Sequence, residues 1–302
     1  MKKTDITLWQ DNLLTIARYD MTPLEKNILY MVMSQIKKDD QIGSNYFVSA
    51  RELMDRTGEE IDFSLFRKAT KSLVSRAFET TLPNGDLLQA SFVSAARYHK
   101  GKGIIEIEIS RFVLPFYLEL KEKFTTFQLN AALNLNSKYA KRLYEILSMY
   151  KAMPDKSFTA KILELKKTLL VINKDGKDDY PNFADFAKRV LKPAEKEINE
   201  STDIRFTYDI ILGTSNGKGR KPVAAIKFHV EPVVTTKMPS DEQYTTLVLR
   251  LINEFGLNKK QAERIVSEND RKDILKKLYE ISLSKNTIRN IGGYTVKIFN
   301  LV

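Results

Sequence analysis

The sequence predicts an α+β protein with two tandem winged-helix (helix-turn-helix) domains and a small appended C-terminal helical segment. The prediction rests on an internal repeat followed in each copy by a β-rich stretch that brackets a short basic turn. A helical unit with a basic hairpin, present twice, suggests a two-module reader of double-stranded DNA. The repeated segments are Leu29-Tyr30-Met-Val-Met-Ser34-Gln-Ile-Lys37 with Leu143-Tyr144-Glu-Ile-Leu-Ser148-Met-Tyr-Lys151, and Phe63-Ser-Leu-Phe66-Arg-Lys68 with Phe183-Ala-Asp-Phe186-Ala-Lys188.

Composition favours a folded protein with a polyanionic partner. The chain has 302 residues, 43% of them hydrophobic, and 49 Lys and Arg against 38 Asp and Glu give a net charge of +11. That charge fits DNA, RNA or an acidic membrane surface equally well. The absence of cysteine excludes disulfides and thiolate metal sites and fits a reducing cytoplasm. No apolar run reaches the length of a membrane span, so we expect a soluble, cytoplasmic protein with no membrane partner.

The first module has well-marked helix starts. Capping boxes at Thr22-Pro23-Leu24-Glu25 and Ser49-Ala-Arg-Glu52 predict the first two helices, the second over Ala50 to Arg56. A third helix is predicted over Ser64 to Ala77. The residue period then changes to two, through Leu87 to Tyr98 and Ile104 to Ile109, which predicts a hairpin with Lys100 and Lys102 at its tip. Three helices and a hairpin in this order predict a winged helix.

The second module repeats this order. Helices are predicted over Lys138 to Lys151, Ala160 to Leu169 and Asn182 to Glu200, and strands over Ile204 to Leu212 and Val223 to Val230. Pro193 lies inside the third helix, where we expect a kink or a break. Beyond Pro232 the pattern becomes helical. The predicted domains are therefore residues 1–124, 125–232 and 233–302.

The candidate DNA-binding residues lie on the third helices and the hairpins. In the second module, lysine and arginine can donate to guanine O6 and N7, and an aspartate can accept from cytosine N4. In the first module, phosphate anchoring is the expected role. The hairpin cations are expected to contact the DNA backbone, although turn lysines often serve only solubility. The base-reading candidates are Asp185, Lys188, Arg189 and Lys192; the first-module candidates are Ser64, Arg67, Lys68 and Lys71; the wing candidates are Lys100, Lys102, Lys218, Arg220 and Lys221.

Catalytic patterns are weak. The turn Gly213-Thr-Ser-Asn-Gly-Lys-Gly219 lacks the spacing of a phosphate-binding loop and lies between strands. His99 and His229 are too far apart in sequence for a paired-histidine nicking centre. We therefore expect no catalytic residue, cofactor or metal. A rolling-circle nicking enzyme, with Tyr98 or Tyr180 as nucleophile, is the alternative from another class, and a winged-helix transcription regulator is the alternative within DNA-binding proteins.

Several motifs resemble the iteron-binding plasmid replication initiators, over roughly residues 6 to 231. The motifs are Leu135-Asn-Ser-Lys-Tyr-Ala-Lys-Arg-Leu-Tyr-Glu-Ile-Leu147, Phe183-Ala-Asp-Phe-Ala-Lys-Arg-Val-Leu-Lys-Pro-Ala-Glu-Lys-Glu-Ile-Asn199, the strand start Thr202-Asp-Ile, and Gly219-Arg-Lys.

The resemblance implies two winged-helix domains that bind origin repeats as a monomer, help to open the origin, and recruit the host replication initiator and the replicative helicase. It also implies a homodimer, joined through the first domain, that represses its own gene. The dominant base contacts carry over to Asp185, Lys188, Arg189 and Lys192. Contacts of the first domain carry over to Ser64, Arg67, Lys68 and Lys71, in a segment that is less alike.

Overall fold

The computed structural model describes residues 5–120, 123–173, 175–214, 221–233, 241–283, 288 and 290–300. The chain forms two compact units. The first ends at Val233 and contains both predicted modules, and the second holds the helices from Asp241 onward. Among the described helices, none is long and apolar enough to cross a membrane.

The first module is a winged helix with two added strand pairs. Strands β2 (Asn45–Ser49), β6 (Ile104–Ile109) and β5 (Val93–His99) form an antiparallel sheet in that order, and β5 and β6 are the wing. Strand β1 (Thr7–Asp11) pairs with β7 (Phe124–Gln128), and β3 (Ala77–Thr81) pairs with β4 (Leu87–Ser91). The elements are β1 (Thr7–Asp11), α1 (Asn12–Ile16), α2 (Pro23–Met33), β2 (Asn45–Ser49), α3 (Ala50–Thr57), α4 (Phe63–Ser75), β3 (Ala77–Thr81), β4 (Leu87–Ser91), β5 (Val93–His99), β6 (Ile104–Ile109), α5 (Pro115–Leu118), β7 (Phe124–Gln128) and α6 (Leu129–Asn134).

Both predicted capping boxes begin helices. Thr22 accepts from the Glu25 N–H at 3.3 Å, and the Glu25 carboxylate accepts from the Thr22 N–H at 2.7 Å. Ser49 accepts from the Glu52 N–H at 3.3 Å. The single predicted strand over Leu87 to Tyr98 is wrong: the buried Phe92 divides it, and the first half pairs with β3 rather than with the wing.

The second module repeats the arrangement with a sheet of β8 (Ser157–Lys161), β10 (Val223–Pro232) and β9 (Ile204–Leu212) in that order. The predicted helix over Ala160 to Leu169 is shorter, because residues up to Lys161 form a strand that pairs with β10. The third helix begins at Phe183. The elements are α7 (Lys138–Ser148), β8 (Ser157–Lys161), α8 (Ile162–Thr168), α9 (Phe183–Phe186), a π turn (Ala187–Leu191), α10 (Lys192–Ser201), β9 (Ile204–Leu212) and β10 (Val223–Pro232).

The sequence predicts a kink or a break at Pro193; the structure shows no break, and a π turn directly precedes the turn that holds Pro193. Helix α9, the π turn and α10 follow one another without interruption, and Pro193 is the second residue of α10. The Lys192 N–H bonds the Ala187 carbonyl, five residues back, so the helix is locally wider. A wider turn absorbs a residue that has no N–H and would crowd the carbonyl four positions before it. We call Phe183–Ser201 the second recognition helix and α4 the first recognition helix.

The equivalent helices α2 and α7 pack together across one shared hydrophobic core. The Phe127 ring contacts Tyr30 and Tyr144, which are repeat equivalents, with ring centroids 5.6 and 5.9 Å apart. Both tyrosines are fully buried. The shared core therefore ties the two modules into the same unit, and the predicted domain boundary at 124/125 stays a prediction.

A buried ion cluster lies between α2 and α7. The Glu145 carboxylate accepts from Lys26 Nζ at 2.5 Å, from Arg142 Nη1 at 2.7 Å and from the Tyr19 hydroxyl at 3.0 Å. Burial lowers the pKa of Lys26 to about 8, although Glu145 opposes the shift. For Glu145, burial raises the pKa, but Lys26 and Arg142 together hold it below the ordinary value. The single carboxylate thus pairs with two buried cations and joins elements distant in sequence.

Lys141 is also buried, but its hydrogen-bond partners are neutral. Its ammonium donates to Asn27 Oδ1 at 2.6 Å and to the Ala132 carbonyl at 2.7 Å. Burial, followed by the charge of Lys26, lowers the pKa of Lys141 to about 7. The side chain satisfies carbonyl groups at the end of α6, which would otherwise lack partners.

The C-terminal unit is a helical bundle with its own core. The predicted helical character is confirmed. Gly292 packs so closely on the turn after the first helix that a Cβ would meet the Gly256 carbonyl oxygen at 2.8 Å. The helices are α11 (Asp241–Phe255), α12 (Lys259–Glu268), α13 (Arg271–Leu283) and α14 (Ile291–Ile298).

Candidate nucleic-acid interface

The second recognition helix presents a straight exposed strip. Its four candidate residues are all exposed, and none has a hydrogen bond or ion pair with another described residue. Exposed positions recur every four residues from 184 to 200, and buried ones do the same from Phe186 to Ile198. We call the following set the exposed strip: Asp185, Lys188, Arg189 and Lys192.

The π turn explains the spacing of four. In a regular α-helix, twelve residues would rotate Ile198 by about 120° away from the side of Phe186. One extra residue accommodated in a wider turn takes back about 100°. Phe186, Val190, Ala194 and Ile198, each at most 1% exposed, can therefore pack into the same core. On the exposed side, Lys188 and Lys192 lie one above the other for the same reason.

Two carboxylates anchor the second recognition helix and the strand that follows it. Glu197 accepts from the backbone N–H groups of Asn136 and Ser137, at 2.9 and 3.1 Å, and so fixes α10 to the start of α7. Asp203 accepts from the Tyr144 hydroxyl and, at 3.1 Å, from Lys151. Sequence reasoning missed both positioning roles. The available signal was the presence of Glu197 and Asp203 in the family-like motifs without an assigned function.

The first recognition helix has the same exposed side with more local contacts. Ser64, Arg67, Lys68 and Lys71 are all exposed. The Ser64 N–H donates to Asp62 at 2.6 Å, and the Ser64 hydrogen bonds are the main reason why the pKa of Asp62 is lowered. The Tyr98 hydroxyl of the wing donates to the Arg67 carbonyl at 3.2 Å. The Ser64 N–H and the Arg67 carbonyl of this helix are therefore already engaged in hydrogen bonds within the protein.

The two wings differ in how far the structure describes them. In the first, Lys100 and Lys102 are exposed in a turn where Gly101 and Gly103 have positive φ values of 77° and 62°. The Gly103 carbonyl accepts from the Ala50 N–H at 3.2 Å, which holds the turn near α3. In the second wing Lys221 is exposed. Lys218 and Arg220 lie outside the described residues.

The tyrosines considered for nicking chemistry have structural contacts. Tyr98 is half-buried, and burial raises its pKa, although Arg67 opposes the shift. Tyr180 contributes its carbonyl to Lys166 at 2.5 Å. Within the described ranges, no group of three or more His, Cys, Asp or Glu side chains is arranged to hold a metal ion.

Family models match most of the unit that contains these helices. Residues 7–148 match the model described as "Initiator Replication protein, WH1", and residues 161–230 match "Initiator Rep protein, WH2". The chain belongs to this family of initiator replication proteins. The resemblance inferred from the motifs is therefore confirmed, as is the predicted pair of winged-helix domains.

Curated relatives and a solved structure agree with the family. The "PI protein" of Escherichia coli is 25% identical over 233 residues, covering 67% of this chain and 75% of the relative. A "Replication initiation protein" of Escherichia coli is 24% identical over 242 residues, covering 76% and 70%. The crystal structure of Pi initiator protein in complex with iteron DNA has a TM-score of 0.60 at 23% identity, covering 74% of this chain and 95% of that one. This similarity supports the fold.

Proposed function

We propose that this chain is a plasmid replication initiator that binds repeated origin sequences, or iterons, in double-stranded DNA. The observation that carries the proposal is the exposed strip of an under-wound helix in the WH2 domain of an initiator family member. Its three cations make no ion pair with any described residue, so their charge is available to a polyanion. The net charge of the chain, +11, also favours a polyanionic partner.

The two recognition helices divide the contacts. Arg189 and Lys188 donate to guanine O6 and N7, and Asp185 accepts from cytosine N4 or orients Arg189. Lys192 continues the strip toward the next base or phosphate. The first recognition helix anchors phosphates through Arg67, Lys68 and Lys71, with Ser64 beside them, and enters a neighbouring major groove about 34 Å away. The wings contact the backbone through Lys100, Lys102, Lys218, Arg220 and Lys221.

The proposal extends to steps beyond DNA binding. Bound monomers help to open the origin and recruit the host replication initiator and the replicative helicase in the cytoplasm. A homodimer joined through the first domain represses the chain's own gene. Family membership supports these steps. No catalytic residue or cofactor is part of the proposal, because DNA recognition needs only hydrogen bonds, charge and shape.

A plasmid maintenance experiment separates an initiator from a transcription regulator. The gene with its flanking DNA is cloned into a vector that lacks an origin and is introduced into host cells. An initiator supports maintenance of the vector, and a frameshift in the gene abolishes it. A regulator that binds the same flanking repeats without maintaining the vector would contradict the replication role.

Binding to the flanking repeats is measured as a function of salt. Neutralisation of about six to ten phosphates gives a log-log slope of about minus five to minus nine. A slope near zero would contradict a two-module phosphate-bound complex. Incubation with supercoiled origin DNA and Mg²⁺ tests the nicking alternative, because a covalent nicked product would require a nucleophile such as Tyr98 or Tyr180.

A further inference from the structure

The second wing carries an apolar run that the fold does not bury. Ile210, Ile211 and Leu212 of β9 are 47, 39 and 55% exposed. No other run of three consecutive large apolar side chains is this exposed in the part of the chain that the structure describes. The earlier side chains on the same face of the strand, Phe206 and Tyr208, are buried and half-buried. The strand therefore extends beyond the core, and its side chains on this face remain apolar there.

The strand runs alongside the second recognition helix in the opposite direction. The Phe206 N–H donates to Asn199 Oδ1 at 2.7 Å, and Asn199 Nδ2 donates to the Phe206 carbonyl at 2.9 Å. Two residues later on the strand, Tyr208 is influenced by Glu195: burial and then the Glu195 carboxylate raise the pKa of Tyr208. Each step of two strand residues thus corresponds to one helical turn.

Continuing this alignment brings the apolar side chains level with the exposed strip. Two strand residues advance about 6.8 Å and four helical residues about 6 Å, so the two elements keep pace. With four helical residues per step, the next steps put Ile210 level with Leu191 and Leu212 level with Ala187, which immediately precede Lys192 and Lys188 of the exposed strip. Both side chains share the face of Phe206 and Tyr208, because alternate strand residues point the same way. Ile211 points to the other face, where Asp209 pairs with His229 at 2.9 Å.

The charges around this face select the partner. Lys188, Arg189 and Lys192 on the helix and Lys221, two residues before β10, are exposed. A second copy of this chain would bring the same cations against them, whereas duplex DNA supplies both the negative charge and apolar surface. That apolar surface consists of deoxyribose rings and base edges in the minor groove.

We propose that Ile210 and Leu212 make an apolar contact with duplex DNA in the minor groove beside the major groove read by the second recognition helix. This inference rests on the proposed function. Insertion of two branched apolar side chains favours a step that unstacks or bends easily, such as TA or CA/TG. The second wing then contributes to sequence preference through DNA deformability as well as through backbone charge.

The test compares two ways of weakening the complex with the flanking repeats. The double variant I210S/L212S is expected to lose at least about tenfold in affinity, because apolar contact area is removed. Its log-log salt slope stays equal to that of the wild type, since no cation is lost. K188A, in contrast, makes the slope shallower by about one. DNA bending, measured by circular permutation of the repeat, decreases in I210S/L212S and is retained in K188A.

Two further variants serve as controls. Leu249→Ser in the C-terminal unit removes a leucine that is 50% exposed and is expected to leave affinity unchanged. I210V/L212M keeps the face apolar and is expected to bind within about threefold of the wild type, since volume-conserving apolar changes are well tolerated. Thermal unfolding checks that each variant folds.

The outcomes separate the inference from the function on which it rests. If the wild type prefers the repeats and I210S/L212S binds them equally tightly, the inference is wrong and the proposed function stands. A loss accompanied by a shallower salt slope would also overturn it, because the contact would be electrostatic. If I210S/L212S lowers self-association of the free protein in sedimentation without weakening DNA binding, a second copy covers the face. A wild type with no preference for any repeat overturns the proposed function itself.

Discussion

The two recognition helices arise from one repeated unit but differ in winding and in support. The first is a regular helix of 13 residues whose start and wing side make local hydrogen bonds through Asp62 and Tyr98. The second contains a π turn, is fixed from behind by Glu197, and leaves its exposed strip without described partners. Support from the buried side leaves the exposed side of a helix free for ligand contacts. Duplication alone would have given two equal helices.

The largest expected effect concerns the support that both helices share. Glu145→Gln removes the one negative charge that pairs with Lys26 and Arg142, whose side chains are 2 and 7% exposed. Loss of one partner from a buried pair costs about 3–5 kcal/mol of unfolding free energy. Urea unfolding measures it, followed by fluorescence of the single Trp9 in the first module and by circular dichroism for the whole chain.

Glu164→Gln is the matched control for this change. Glu164 pairs with Arg18 at 3.2 Å on the surface, with side chains 53 and 41% exposed, so its loss should cost less than about 1 kcal/mol. Equal costs for the two glutamates would mean that the buried cluster does not support the modules. A Trp9 transition that is unaffected by Glu145→Gln would mean that the first module does not depend on α7.

The pH dependence of stability tests an asymmetry inside the shared support. Asn27 and Lys141 are at equivalent positions of the repeat and are hydrogen-bonded to each other. Burial lowers the pKa of Lys141 to about 7, whereas an unfolded lysine keeps its proton to about pH 10. Above pH 7 the unfolded chain therefore binds more protons, and the free energy of unfolding rises with pH by up to about 1.4 kcal/mol per unit from this group.

Lys141→Met removes this contribution. Unfolding free energies of the wild type and the variant are compared between about pH 7 and pH 9, a range below ordinary tyrosine ionisation. The wild type is expected to gain stability relative to the variant as pH rises. Parallel pH profiles would contradict the account of Lys141 as a buried group that carries its charge at a cost.

The support behind the second recognition helix gives a smaller effect. Glu197→Ala leaves the N–H groups of Asn136 and Ser137 without their acceptor and should cost about 1 kcal/mol of unfolding free energy. It should also weaken binding to the repeats more than binding to random DNA, because the exposed strip loses its fixed position. Glu197→Gln retains an acceptor and should recover most of both losses. If Glu197→Ala lowers the unfolding free energy but does not weaken binding to the repeats, Glu197 has only a structural role.

The smallest expected effect concerns the π turn. A proline that breaks a helix costs about 3 kcal/mol, so its replacement by alanine would stabilise the protein by a similar amount. Pro193 lies next to a wider turn that accepts it, and we therefore expect Pro193→Ala to change the unfolding free energy by less than about 1 kcal/mol. Urea unfolding decides between these values. A gain near 3 kcal/mol would mean that the helix is strained at Pro193.

Local signals in the sequence predicted much of the fold. The capping boxes at Thr22 and Ser49 act over three residues, so sequence reading located those helix starts. Strand β3 was missed, and Leu87 to Tyr98 was read as one strand, because pairing partners come from tertiary structure. The spacing of four between Phe186, Val190, Ala194 and Ile198 is visible in the sequence, but the extra residue of the π turn is not, so the sequence predicts a kink or a break at Pro193.

The candidate site was predictable in its surface residues and not in its supports. Exposed cations on an amphipathic helix follow from periodicity, and the structure finds the strip exposed as expected. Lys26 and Lys141 have no sequence feature that marks them as buried, because their partners Glu145 and Asn27 are more than 100 positions away. The contribution of each exposed residue to DNA binding stays a prediction.

The most direct test compares one arginine from each recognition helix on the flanking repeat and on random duplex DNA. Arg189→Ala is expected to cost about 1–3 kcal/mol on the repeat, with relaxed preference at one base position and little loss on random DNA. Arg67→Ala is expected to weaken binding to both duplexes alike. Lys260→Ala, at an exposed lysine of α12, is the control and is expected to weaken binding to neither duplex. If Arg189→Ala weakens both duplexes equally, or if Arg67→Ala relaxes the base preference instead, the division between a reading helix and an anchoring helix is wrong.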